Sequence, residues 1–155
     1  MKAKEVILGL SFGFKKDGPG FSNEVLAKII DREQIKNPNT PSILGVEIAA
    51  CVKRKPLFII SRHRKYGRYL DSEEAIDQAI SYAKRRGFNV IKLVAHPFLH
   101  RQKCWWLLKK YDIKVKIVKT GWIPFDKDSE QWYTRGPVRC LLYVFLQIMT
   151  GRRSR

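Results

Sequence analysis

Apolar residues along this chain follow two rhythms, and the two alternate from one end to the other. Short unbroken runs such as "EVILGLSF" (5–12), "PLFIIS" (56–61), "NVIKLVAH" (89–96) and "IKVKIVKT" (113–120) read as strands covered on both faces. Between them lie stretches in which apolar positions recur every three or four residues. "SNEVLAKIIDREQ" (22–34) is a helix with Ser22 or Asn23 as its N-cap and Val25, Leu26, Ile29 and Ile30 on one face. After the breaker "NPNTP" (37–41), "SILGVEIAACVKR" (42–54) reads as a second helix. "DSEEAIDQAISYAKRRG" (71–87) carries the clearest signals: a cap at Asp71 or Ser72, acids in the first turn, bases in the last, and Gly87 to close it. "HRQKCWWLLKKY" (100–111) is a further helix, and after the turn-rich "GWIPFDKDSEQ" a last one runs from about 132 to 150.

Strands alternating with helices predict an α/β fold, a three-layer Rossmann-like sandwich on a mainly parallel sheet of four or five strands. The chain has 155 residues, the size of a single domain, and contains no internal repeat or low-complexity segment. In open α/β sheets ligands sit beyond the carboxyl ends of the strands. Here those ends are Gly9–Gly13, Ser61–Arg64, Ala95–His100 and Thr120–Trp122, all polar or flexible, whereas the amino ends carry Lys4, Pro56 and Asn89.

Charge sharpens the picture of the partner. Thirty-one Lys and Arg against 14 Asp and Glu give a net charge of +17, a field that attracts polyanions, phosphorylated ligands and acidic membrane surfaces. Three cysteines (Cys51, Cys104 and Cys140) show no paired metal spacing, and they read as reduced thiols of a cytoplasmic protein. No secretory signal is visible, and "VRCLLYVFLQIM" (138–149) is too short to span a bilayer, so it reads as a core helix or, alternatively, a membrane-surface helix.

Several residues carry candidate chemistry. "GLSFG" (9–13) matches the nucleophile-elbow pattern G-x-S-x-G around Ser11, but ten residues separate Ser11 from the next helix where the elbow needs a sharp strand-to-helix turn. A flexible glycine loop whose N–H groups face a phosphate is the better reading, with Gly9, Ser11 and Gly13 as ligand contacts. Acids at the start of 71–87 stabilise a helix there in any case; the functional alternative is that Glu74 reaches the cleft to bind a hydroxyl or act as a base. His96 and His100 are four apart, but Pro97 lies between them, no third ligand follows, and neighbouring bases repel a cation. Either histidine instead suits anion binding or acid–base chemistry, with a pKa near neutrality. Ser61, His63, Ser72 and Lys103 complete the candidate ligand set, with His100 and Glu74 as candidate catalytic groups. Nothing in the sequence names a cofactor.

These motifs together resemble the SanA/YdcF/ElyC-like family of Rossmann-like domains, most closely over residues 70–112. "LVAHPFLHRQKC" is similar to that family's strand end V-A-H-P followed by a histidine and, three residues on, a basic residue. Here those are His100 and Lys103 with one inserted residue, or Leu99 and Arg101 without it. "DSEEAID" resembles the family's T-x-E-N-A helix start, with Ser72 for Thr and Glu74 for Glu but Ala75 for Asn. Ser61-Arg62-His63 stands where the family has S-G-G, and the chain looks shortened. The resemblance implies a cleft for a phosphate-bearing or nucleotide-like ligand, with links to cell-envelope metabolism in some members, and no established reaction. Two other classes stay open: a nucleic-acid binder, from the basic-aromatic stretches "RHRKYGRY" and "HRQKCWW", and a membrane-surface protein docking through 138–149 and the "GRRSR" tail.

Overall fold

The computed structural model describes residues 3–61 and 71–149, with the side chains of 147 and 148 excepted. Five strands form one sheet, β1 (Glu5–Gly9), β2 (Ser42–Gly45), β3 (Phe58–Ile60), β4 (Val90–Val94) and β5 (Lys114–Ile117), in the spatial order β3-β2-β1-β4-β5. Every pairing is parallel. The fold is therefore α/β, and all four strands expected from the sequence are members.

The fifth strand corrects the reading of 42–54 as one helix. Ser42, Ile43, Leu44 and Gly45 are all buried and pair with β1 on one side and β3 on the other. Only a single helical turn, α2 (Val46–Ala49), follows. The apolar run of β2 passes without a break into the apolar residues of α2, and over so few residues periodicity cannot separate strand from helix.

Alternate strand residues feed two cores. Val6, Leu8, Ile91 and Leu93 face α3 (Ser72–Arg85) and α4 (His100–Leu108), whose Ile76, Ala79, Ile80, Cys104 and Leu108 are buried with them. Ile7, Leu44 and Val94 face the opposite way, onto Leu26, Ile29 and Ile30 of α1 (Phe21–Lys36) and Ile48 of α2. This is the three-layer sandwich. At its edges, β3 is three residues long and β5 alternates lysines with apolar residues, Lys116 pairing with Glu5 at 2.5 Å.

Helix ends follow the sequence in one case and depart from it in two. Asp71 caps α3 by accepting the Glu74 N–H at 2.8 Å, as its position predicts. Gly20, not Ser22 or Asn23, is the residue before α1, and both of those side chains are buried for other work. The last helix, α5, spans Pro137–Met149, and a separate 3-10 turn covers Trp132–Thr134. The break falls at Gly136-Pro137, since a proline disfavours helical backbone in the residue before it. No helix among the described residues is long and apolar enough to cross a membrane. The three cysteines are free thiols, two buried and one half-buried.

Candidate functional site

The strand order has a functional consequence. From β1 the chain moves to β2 and β3 on one side, then returns to lay β4 on the other side of β1. A crevice forms at such a reversal, beyond the carboxyl ends of the strands. There lies a cleft of about 290 Å³. It is lined by the loop after β1 (Leu10–Phe14), the ends of β2 and β3, the start of α3, and Leu99, His100 and Lys103 at the start of α4. Tyr133, Tyr143 and Val144 close it from the C-terminal segment.

Of the residues singled out in the sequence, Ser11, Gly13, Ser61, Ser72, His100 and Lys103 come together around this cleft. Gly9, His96 and Glu74 are not among its lining residues. Gly9 sits inside the second core, where a Cβ would fall 2.7 Å from both Ile30 and Leu44. His63, with the rest of the basic stretch 62–70, lies outside the described residues.

Two polar atoms of the lining have no hydrogen-bond partner among the described residues. They are Ser11 Oγ and His100 Nδ1, both withdrawn from solvent. A buried polar group left unpaired costs free energy, so a ligand or water entering this cleft would gain by pairing both atoms. Gly45 makes room for the first: a Cβ there would come 2.2 Å from Ser11 Oγ and 3.2 Å from its backbone nitrogen. Among the described residues no base is hydrogen-bonded to Ser11 Oγ, the partner that an elbow nucleophile needs.

His100 differs from the near-neutral histidine expected. Burial, with smaller contributions from His96 and Lys103, pushes its pKa down to about 3. So buried, it is an uncharged imidazole whose Nδ1 can donate or accept one hydrogen bond, and Lys103 supplies the positive charge. Two carboxylates, Glu47 and Asp71, line the same cleft. Sequence reading missed Glu47 because it assigned that position to a longer helix.

Hydrogen bonds tie down the glycine loop from two sides. Asn23 Oδ1 accepts the Phe12 N–H at 2.8 Å, and its Nδ2 donates to the carbonyls of Gly13 at 2.7 Å and Pro19 at 2.6 Å. From the far side, Ser129 Oγ accepts the Phe14 N–H at 3.3 Å and takes a 2.7 Å bond from Thr134. Asp126 accepts the Phe21 N–H at 2.8 Å and pairs with Lys15 at 3.5 Å. Gly13 has φ of 72°, and a Cβ on it would strike the Ser129 and Thr134 hydroxyls at 2.6 Å. The turn-rich segment 121–136 is thus a belt that holds the loop. Nothing local in the sequence signals it, since its partners lie more than a hundred residues away.

His96 has a different task from the ligand contact expected of it. Its ring is fully buried and stacked on Phe12 at 4.0 Å, Nε2 lies 3.0 Å from the Ile123 carbonyl, and Nδ1 accepts the Phe98 N–H at 3.3 Å. Those contacts fix the tautomer with the proton on Nε2. Burial pushes its pKa down to about 4, against the bond to the Ile123 carbonyl, which acts the other way. The chain then turns sharply: Leu99 has φ of 52° and ψ of −39°, and the His100 N–H reaches back to the Phe98 carbonyl at 2.5 Å, a γ-turn of the rare positive-φ kind. That turn separates the two histidines. The tryptophans of α4 are not cleft residues; Lys109 lies 3.7 Å over the Trp105 ring. Among the described residues no His, Cys, Asp and Glu side chains group as a metal site. No family's sequence model matches the chain, and no curated protein is significantly similar to it.

Proposed function

We propose that this chain is a Rossmann-like ligand-binding domain whose cleft takes a small phosphate-bearing molecule with free hydroxyls, nucleotide-like or sugar-like in character. The observation that carries the reading is the pair of unpartnered atoms, Ser11 Oγ and His100 Nδ1, in one cleft with the Lys103 ammonium. Phosphate oxygens would accept from Ser11, from neutral His100 and from Lys103, each bond charge-assisted by the anionic acceptor and the Lys103 one by both partners. Glu47 and Asp71 would accept from the ligand's hydroxyls, and they disfavour a bare polyanion in the same space. The similarity to SanA/YdcF/ElyC-like domains points the same way. His100 is the candidate acid–base group should turnover follow binding, since Glu74 is not among the residues lining the cleft.

Calorimetric titration with inorganic phosphate, pyrophosphate, nucleoside phosphates and sugar phosphates tests this. Hydroxylated phosphates should bind more tightly than inorganic phosphate, and Lys103→Ala should weaken them about tenfold or more, the loss of one charge-assisted bond. Affinity should fall only modestly with added salt. A steep decline with salt, together with preference for oligonucleotides, would refute the cleft reading in favour of nucleic acid held by the overall charge.

A further inference from the structure

The last helix is apolar on the side turned away from the protein. Cys140 is buried, and Tyr143 and Val144 line the cleft. On the opposite side Val138, Leu141, Leu142, Phe145, Leu146 and Met149 are each more than half exposed. Their spacing of three and one residues places them in a single stripe along α5. Trp132, also exposed, stands edge-on to Tyr143 near the start of the helix. An apolar patch of this size marks an interaction surface.

Charge decides which. From Gln131 to Arg155 the sequence holds five arginines and no acidic residue, within a chain of net charge +17. Arg139 is exposed beside the stripe. Two copies of the chain meeting through this face would bring like charges together, whereas phospholipid headgroups of negative charge complement it. Helix α5 has 13 residues, about 20 Å of helix, too short to cross a bilayer but suited to lying in its surface. Tryptophan and tyrosine, apolar with one polar handle, fit the headgroup boundary.

We infer that the outer face of α5 docks the protein on the surface of an anionic phospholipid bilayer, Leu141, Leu142, Phe145 and Met149 entering the acyl boundary while Arg139 meets the headgroups. This does not depend on what the cleft binds. Because α5 also forms one wall of that cleft, docking sets the cleft beside the membrane surface.

Flotation of the full chain with vesicles tests the inference. It should float with mixed phosphatidylglycerol and phosphatidylcholine and much less with phosphatidylcholine alone. The double variant Leu142→Ser/Phe145→Ser should lose binding by about tenfold or more while keeping the melting temperature, because both side chains are exposed. A second variant, Leu141→Ala/Met149→Ala, guards against a folding defect in the first and should weaken flotation in the same direction. Flotation that both variants leave unchanged but salt abolishes would overturn the inference, since net charge alone would then hold the protein. A concentration-dependent dimer, lost in the variants, with no flotation of the parent, would assign the face to a second copy instead.

Discussion

His96 and His100 stand four residues apart, and both are buried enough to be uncharged at neutral pH. They nevertheless belong to different parts of the molecule. Around His96 every polar atom is used: one nitrogen faces the Ile123 carbonyl, the other takes the Phe98 N–H, and the ring is sandwiched near Phe12 and Phe125. Around His100 one nitrogen, Nδ1, has no partner among the described residues, at a cleft. Burial and a shifted pKa are common to both, so neither identifies a binding residue. What separates them is whether the hydrogen-bonding capacity is already spent inside the protein. A satisfied buried histidine is part of the core; an unsatisfied one asks for a ligand.

The comparison is broken most forcefully at His96. His96→Ala removes a stacked ring and leaves the Ile123 carbonyl and Phe98 N–H without partners, so the protein should lose about 3 kcal/mol or more in urea unfolding. A variant of ordinary stability would make the two histidines equivalent after all. Acid should report the burial that the two histidines share. The unfolded chain protonates His96 near its ordinary 6.5, the folded protein only near 4. Between those values the unfolded state binds more protons, so the His96 share of stability, intact above pH 6.5, should decline as pH falls towards 4, and the His100 share onwards towards 3. The contribution of His96 approaches roughly 3 kcal/mol at full effect. His100 adds to the same direction, and ligand binding at its nitrogen should reduce its share. In a folded His96→Asn variant the decline should be visibly shallower.

His100→Ala should do the reverse. Its melting temperature should stay within about 3 °C of the parent, since the lost nitrogen had no partner to strand. Binding of a hydroxylated phosphate should weaken about tenfold by calorimetry, in proportion to one lost hydrogen bond to an anion. Large destabilisation with unchanged binding would return His100 to the core. Arg101→Ala marks the small end of the scale. Arg101 is not a lining residue, and its removal should change affinity less than about threefold. A dominant effect at Arg101 would instead favour the alternative register of the resemblance, in which Leu99 and Arg101 hold the matching positions.

How much of this was legible from the sequence depends on whether the signal is local. Strands β1 and β4 announce themselves, because a strand covered on both faces needs a continuous apolar run, and "EVILG" and "VIKLV" supply one. The cleft's location follows from the same rule plus the polar strand ends. Strand β2 is hidden, since Ser42–Gly45 passes directly into apolar helix residues, and its misassignment concealed Glu47 as a cleft carboxylate. Asn23 has the composition of a helix cap and serves instead as the clamp on the loop after β1. That clamp reaches back only across the loop itself, whereas Ser129 and Asp126 act from more than a hundred residues away, and only the folded chain brings those partners together. His96 and His100 look alike in sequence because the turn at Leu99, with φ of 52° in a residue that seldom adopts it, leaves no compositional trace.

The lysines of β5 have a bearing on colloidal behaviour. An open sheet edge is a template on which another chain can add a strand, and a continuous apolar edge seeds fibrils. Here Lys114 and Lys116 alternate along the outer strand, so any incoming copy would have to set its own ammonium groups against these across a spacing of about 5 Å. The opposite edge, β3, offers only three residues to pair with. Extension of the sheet from molecule to molecule is thereby opposed at both ends, and a concentrated solution should resist amyloid growth even though its strands are strongly β-forming.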